Sequence, residues 1–105
     1  LIHGDIHPDN IRFCGDRITA LLDFDQVECD ARIVDLADAL VGFASLALPS
    51  ETLTWGVFRG PLDPAKAGVL MSGYQQISPL LPAEIAALPV LIEVLWLRGE
   101  LGRFI

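Results

Sequence analysis

The first part of the chain contains two short runs of hydrophobic residues. Residues 10–13 and 18–22 are separated by a stretch that contains Gly15, which is typical of a β-hairpin with a glycine in its turn. From Ala31 to Leu48 the apolar residues recur at helical spacing, and Pro49 is expected to stop that helix. The pattern therefore predicts a hairpin followed by a buried helix.

The second half of the chain predicts two more helices, after an aperiodic stretch that we interpret as a loop. The first covers residues 63–77, where Asp63 can cap the N-terminus and Pro64 can take the first helical position without leaving an N–H unpaired. The second runs from Pro82 to Phe104, and Pro89 is expected to kink or restart it. The order of elements is therefore a hairpin first and helices afterwards.

The composition limits the classes of protein to which the chain can belong. The chain has 105 residues, 52% of them hydrophobic, which is enough for one small domain with a core. A net charge of −7 without a basic cluster argues against nucleic acid or an anionic membrane as a partner. Cys14 and Cys29 lack metal-ligand spacing and are expected to be reduced thiols, which favours a cytoplasmic location.

The polar chemistry is concentrated at two places in the first part of the chain. The segment H-G-D-I-H-P-D-N at positions 3–10 places Asp5 and Asn10 in a loop that leads directly into a strand. The second strand ends at Asp23, which the hairpin can bring back beside Asn10. A carboxylate and an amide oxygen together suit Mg²⁺, while Asp5 remains available to accept a proton from an attacking hydroxyl group.

These two motifs together resemble the aminoglycoside phosphotransferase and choline kinase superfamily, small-molecule relatives of the protein kinases. The protein-kinase template has H-R-D-x-x-x-x-N followed by D-F-G, and the matching text here is the segment 3–10 followed by D-F-D at 23–25. Gly4 stands where protein kinases have Arg, as is usual in the small-molecule branch. The resemblance implies an α+β fold, the helical C-terminal lobe of a protein-kinase-like enzyme, in which a β-hairpin carries the catalytic loop and metal site above about three helices.

The resemblance also implies roles for individual residues. Asp5 would be the catalytic base, and Asn10 and Asp23 would bind Mg²⁺ and, through it, the phosphates of ATP. Asp35 would be a buried brace that accepts hydrogen bonds from the catalytic-loop backbone, although a surface carboxylate on a helix is the alternative. Three further residues are singled out: His3 as a structural residue of the loop, His7 as a candidate for contact with phosphate or substrate, and Asp25, whose role stays open.

The expected activity is ATP- and Mg²⁺-dependent phosphorylation of a hydroxyl group on a small molecule, such as an aminoglycoside, homoserine or another amino alcohol. Residues 1–48 would carry the catalytic loop, hairpin and bracing helix, and residues 49–105 would form the substrate side. The chain opens at Leu1 within an apolar run, so we expect a piece of a longer protein that lacks the N-terminal lobe. Such a piece is expected to be inactive alone and to form a homo-oligomer through exposed apolar surface.

Two other classes of function remain as alternatives. Asp5 and His7 form a D-x-H motif that also begins binuclear metallophosphoesterases, but the chain has only two histidines to supply the further ligands. The other alternative is a non-catalytic kinase lobe that serves as an interaction module. The presence of Asp5, Asn10 and Asp23 together argues against that second alternative.

Overall fold

The fold was derived from a computed structural model, which describes residues 1–46 and 62–101. The described chain combines a small antiparallel sheet with helices, so the predicted α+β class is confirmed at that level. In order, the elements are a 3₁₀ turn (Pro8–Asn10), strands β1 (Ile11–Cys14) and β2 (Arg17–Leu21), and helices α1 (Arg32–Ala44), α2 (Pro64–Ile77) and α3 (Pro82–Leu101).

The predicted hairpin is confirmed, with a shorter turn than the sequence suggested. Strands β1 and β2 pair antiparallel, and Cys14 pairs with Arg17, so the turn consists of two residues. Gly15 has a φ of +62°, a left-handed conformation that glycine adopts without a steric penalty. The pairing is irregular between Arg12 and Phe13, which lets the strands bend at the end nearer the loop.

Helix α1 ends at Ala44, earlier than the predicted end at Leu48. Ser45 adopts an extended conformation, and the chain then forms an antiparallel bridge between Ser45 and Leu62. The N–H of Asp63 donates a hydrogen bond to the carbonyl of Ala44 at 2.7 Å, which gives one helix-end carbonyl a partner. Leu48, Pro49 and most of the predicted loop lie outside the described residues.

The described core lies between α1 and the two later helices. Helix α2 begins as predicted, since the side chain of Asp63 accepts a hydrogen bond from the N–H of Ala65 at 2.9 Å and Pro64 takes the first position. Partly buried residues of α2 and α3 pack around the cluster, so α1 is the helix that both others cover. The fully buried residues of this cluster are Ile33, Leu36, Ala37, Leu40, Ala44, Leu80 and Leu88.

Helix α3 continues through Pro89 as one element, so the expected restart at this proline is wrong. A proline inside a helix removes the hydrogen bond to the carbonyl four residues earlier, which here belongs to Ile85. Ile85 and Pro89 are both exposed, so water can reach that side of the helix and bind the carbonyl.

The expectations for the cysteines and for membrane spans can be compared with the described residues. Cys14 and Cys29 are both free and exposed. None of the helices in residues 1–46 and 62–101 combines the length and the apolar character that a membrane span requires.

An ion pair that the sequence did not predict joins the beginnings of α1 and α3. The guanidinium of Arg32 donates to both carboxylate oxygens of Glu84, at 2.9 and 2.8 Å. It also donates to the Ser78 hydroxyl and, at 2.8 Å, to the carbonyl of Pro79, so one side chain links the end of α2 to the start of α3. The hydrogen bond from Arg32, aided by the N–H of Leu81, lowers the pKa of Glu84 to about 2.

We predict that Glu84→Gln removes a pH-dependent contribution to stability. The pKa of Glu84 in the folded protein, about 2, is below its ordinary value of 4.5, so the unfolded chain takes up this proton first. The contribution is therefore complete above pH 4.5 and is lost as the pH falls toward 2. In urea unfolding, the stability difference between wild type and Glu84→Gln should be largest at neutral pH and should shrink in acid.

The matched control is Glu93→Gln, which changes an exposed carboxylate on the same helix. A difference between wild type and Glu84→Gln that stays constant across the acid range would contradict the prediction. Because Arg32 and Glu84 are partly exposed, the contribution should also weaken at high salt.

Candidate active site

The loop that carries Asp5 is held by a single carboxylate from α1. Oδ2 of Asp35 accepts the N–H of His3 at 2.8 Å, and Oδ1 accepts the N–H of Gly4 at 2.8 Å. Asp35 lies in the first turn of α1, where the unpaired N–H groups of a helix favour a negative charge. It is partly exposed rather than fully buried as expected. Both carboxylate oxygens are therefore used to fix the backbone just before Asp5.

Gly4 is required at its position by two independent features. Its φ of +86° lies in the left-handed region, and a Cβ placed there would be 2.2 Å from the carbonyl oxygen of Gln26. No side chain fits that space, which gives a physical reason for glycine where the protein-kinase template has arginine. Next to it, Ile2 pairs with Glu28 through a 2.9 Å hydrogen bond, so the loop is packed against the segment that follows the hairpin.

His3 connects the loop to the end of the hairpin. It is 7% exposed, and its Nδ1 accepts the N–H of Asp5 at 3.2 Å. The neutral ring therefore carries its proton on Nε2, which donates to the carbonyl of Leu22 at 2.8 Å. The ring also lies 5.1 Å from the ring of Phe24. One imidazole thus links the backbone of Asp5 to the strand end that precedes Asp23.

Asn10 and Asp5 are in direct contact. Nδ2 of Asn10 donates to the backbone carbonyl of Asp5 at 2.9 Å and lies 3.2 Å from its Oδ2. The Asn10 side chain is buried, whereas the side chain of Asp5 is 40% exposed. Within the described part of the chain, every hydrogen bond of the Asn10 amide uses Nδ2. The amide oxygen of Asn10 therefore remains available as a ligand.

Asp23 is held next to Asn10 by the backbone. The N–H of Leu22 donates to the carbonyl of Asn10 at 2.8 Å, so the hairpin brings the residue before Asp23 against the Asn10 backbone. Asp23 has a φ of +57°, a conformation that residues other than glycine rarely adopt and that clusters at functional sites. Its Oδ1 accepts the N–H of Asp25 at 3.3 Å. That backbone contact is the one the structure shows for Asp25.

The residues that could hold a divalent cation are Asn10 and Asp23. Their amide and carboxylate oxygens are the hard ligands that Mg²⁺ prefers. Among residues 1–46 and 62–101, no three side chains of His, Cys, Asp or Glu converge to form a metal cluster. An ion held by Asn10 and Asp23 would take its remaining ligands from waters and phosphates, which is the coordination that Mg²⁺ uses in phosphoryl-transfer sites.

Gly42 is a residue of this region that the sequence analysis missed. It lies in the middle of α1, where a Cβ would be 3.0 Å from Cδ of Pro8 and 3.2 Å from Cα and Cβ of His7. Helix α1 therefore touches the loop twice, through Asp35 and, two turns later, through Gly42. An isolated glycine within an apolar helix pattern is the signal that could have identified it.

The structure brings most of the predicted site residues together. Asp5, His7 and Asn10 are in mutual contact, and Leu22 connects them to Asp23. His7 contacts Asp5 and Asn10 through its ring. The catalytic and metal-binding roles of these residues stay predictions.

The loop fixed by Asp35, with Asp5 and Asn10 five positions apart, lies within the segment that matches a known family. The sequence model of the phosphotransferase enzyme family matches residues 1–70 of this chain, and the chain belongs to that family.

Several curated relatives of the chain are homoserine kinases. The chain is 39% identical over 105 residues to the homoserine kinase of Parvibaculum lavamentivorans, covering 100% of the chain and 28% of that protein. It is 35% identical over 105 residues to the homoserine kinase of Methylorubrum populi, covering 100% of the chain and 29% of that protein. The chain thus spans a little over a quarter of the length of these relatives. No solved structure matches it.

We predict that Asp35→Asn loosens the loop. An amide at this position keeps one acceptor but turns a donor toward an N–H group, so at least one backbone N–H loses its partner. The expected loss is roughly 1–3 kcal/mol of stability, together with faster hydrogen exchange at the amides of His3 and Gly4. Asp16→Asn, in the exposed hairpin turn, is the control. Unchanged exchange at both amides would show that Asp35 does not hold the loop.

A second prediction concerns the close approach of α1 to the loop. Gly42→Ala should destabilise the protein by roughly 1–3 kcal/mol, because the new methyl group overlaps Pro8 and His7. Gly73→Ala should stabilise it by about 0.5–1 kcal/mol, since nothing lies within 4 Å of a Cβ at that helical position. Chemical denaturation of both variants separates the effect of the contact at Gly42 from the effect of replacing glycine by alanine in a helix. Equal stabilisation of both variants would rule out a restrictive contact at Gly42.

Proposed function

We propose that this chain is part of the helical C-terminal lobe of an ATP- and Mg²⁺-dependent phosphotransferase that acts on a hydroxyl group of a small molecule. The observation that carries the proposal is the contact between Asp5 and Asn10 in a loop whose backbone is gripped by Asp35. The family membership of the chain supports the same reaction class and gives no support to the metallophosphoesterase alternative.

In this proposal Asp5 is the general base. Its carboxylate is the exposed member of the Asp5–Asn10 pair, so an acceptor hydroxyl can reach it. As the hydroxyl oxygen bonds to the γ-phosphorus, the bond from that phosphorus to the bridging oxygen breaks and ADP leaves with the electron pair. Asp5 takes the hydroxyl proton.

Asn10 and Asp23 would hold Mg²⁺ through their side-chain oxygens. Bound Mg²⁺ would neutralise phosphate charge and orient the transferred group. His3 and Asp35 would contribute by fixing the backbone that leads into Asp5, since a catalytic group is effective only when its position is fixed.

Homoserine is the first acceptor to test, because the relatives described above are named homoserine kinases. An aminoglycoside or another amino alcohol is the remaining candidate within the same reaction class. We propose that residues 1–48 carry the chemistry and that residues 49–105 contribute the substrate side.

We also propose that the active enzyme contains an N-terminal lobe in addition to this chain and is a cytoplasmic protein. In the kinase template the nucleotide lies between two lobes, and a lysine of the N-terminal lobe contacts the phosphates. The chain spans 28% of the homoserine kinase of Parvibaculum lavamentivorans, which leaves room for such a lobe. The 105-residue chain alone should accordingly be inactive.

The proposal is tested by incubating the full-length protein with Mg·ATP and homoserine, an aminoglycoside or choline, and following ADP release and the phosphorylated product. We predict turnover with one of these alcohols and a fall in kcat of roughly 10²- to 10⁴-fold in Asp5→Asn. Affinity for Mg·ATP should be nearly unchanged in that variant, because the base acts on the hydroxyl and not on the nucleotide.

Asp23→Ala provides the complementary control, since it should remove Mg²⁺-dependent nucleotide binding measured by calorimetry. Near-normal turnover of Asp5→Asn would exclude Asp5 as the base. Product formation from none of the alcohols, with wild-type protein that binds Mg·ATP, would exclude these acceptors.

A further inference from the structure

The ring of His7 has a defined arrangement of donor and acceptor. His7 is the residue before the 3₁₀ turn, and its Nδ1 accepts the N–H of Asp9 at 3.3 Å. A nitrogen that accepts an N–H group carries a lone pair, so the proton of the neutral ring is on Nε2. On the other side of the ring, Nε2 lies 3.4 Å from the carboxylate oxygen Oδ2 of Asp5.

Two donors therefore converge on one oxygen of Asp5. Nδ2 of Asn10 lies 3.2 Å from Oδ2 of Asp5, and Nε2 of His7 lies 3.4 Å from the same atom. The two nitrogens are 3.2 Å apart, and since both carry protons, neither can accept from the other. Both face Oδ2 of Asp5, which Asn10 reaches by a hydrogen bond and His7 at ion-pair distance.

The two oxygens of Asp5 are consequently unequal. In the described residues no hydrogen bond reaches Oδ1, whereas Oδ2 faces two N–H donors. A carboxylate held by one oxygen cannot rotate freely about its last torsion, so the other oxygen keeps a fixed direction. The side chain is 40% exposed, which leaves room for a ligand at Oδ1.

We propose that His7 is a positioning residue for the base: its Nε2–H holds Oδ2 of Asp5, so that Oδ1 receives the proton of the acceptor hydroxyl. This inference rests on the proposed function, in which Asp5 is the base. It assigns His7 to the base rather than to phosphate or substrate. Catalytic hydrogen bonds are often long in sites without substrate and tighten in the substrate complex, so a 3.4 Å approach is compatible with this role.

The two amide substitutions of His7 separate its contacts. His7→Asn keeps an acceptor at the position of Nδ1, and Asn is a favourable residue before a helical turn, but the side chain is too short to reach Asp5. His7→Gln extends an N–H donor to about the distance of Nε2. Comparing these variants therefore separates the turn contact to Asp9 from the contact to Asp5.

In the full-length protein, His7→Asn should lower kcat by roughly 10- to 100-fold with an unchanged KM for ATP and an unchanged melting temperature. His7→Gln should recover part of that loss. In Asp5→Asn the further change His7→Asn should have no additional effect on kcat, because a residue that acts through the base contributes nothing once the base is removed.

The outcomes distinguish this inference from the function on which it rests. Wild-type turnover in Asp5→Asn would overturn the proposed base itself. If Asp5→Asn is inactive but His7→Asn has normal kcat, the positioning role of His7 is excluded and the base stands. An increased KM for ATP in His7→Asn would assign His7 to phosphate binding, and a lower melting temperature that accounts for the lost activity would make its role structural.

Discussion

The rest of the described site depends on the two hydrogen bonds that the carboxylate of Asp35 accepts from the loop backbone. An isolated loop in water samples many conformations, because ordering each residue costs about 1–2 kcal/mol of conformational entropy. Asp35 offsets that cost at His3 and Gly4 with two charge-assisted hydrogen bonds from one side chain. Since α1 is itself fixed in the core by both later helices, the loop takes its position from the most buried element described.

The loop is fixed as much by shape as by hydrogen bonds. Gly4 lets the carbonyl of Gln26 approach the loop backbone, and Gly42 lets α1 approach His7 and Pro8. A Cβ is excluded at Gly4 and would be tightly crowded at Gly42, so both approaches restrict the loop. Packed surfaces of this kind resist small displacements, whereas hydrogen bonds alone allow some rotation. The combination holds Asp5 in a narrow range of positions.

The hairpin, the α1 helix and the cap at Asp63 could be predicted because each is encoded by neighbouring residues. The contact of Arg32 with Glu84 could not, since 52 positions separate the two and neither belongs to a local pattern. A long helix from Pro82 was predicted, and only the restart at Pro89 was wrong, because a proline inside a helix is tolerated or not according to its surroundings. For the site, the loop residues were predicted from their motif and their roles stay predictions, whereas the donor arrangement at His7 needed coordinates.

Asn10 and Asp5 differ in solvent exposure, and the difference matches the role that is proposed for each residue. Asn10 is 6% exposed and holds the loop through its amide nitrogen. Movement of this side chain would displace the loop and would bring no functional advantage. Asp5 is 40% exposed, and a base has to meet its substrate. A fully buried carboxylate would lose solvation and favour its protonated form, which cannot accept a proton. Partial exposure with one held oxygen would leave the carboxylate of Asp5 both accessible and oriented.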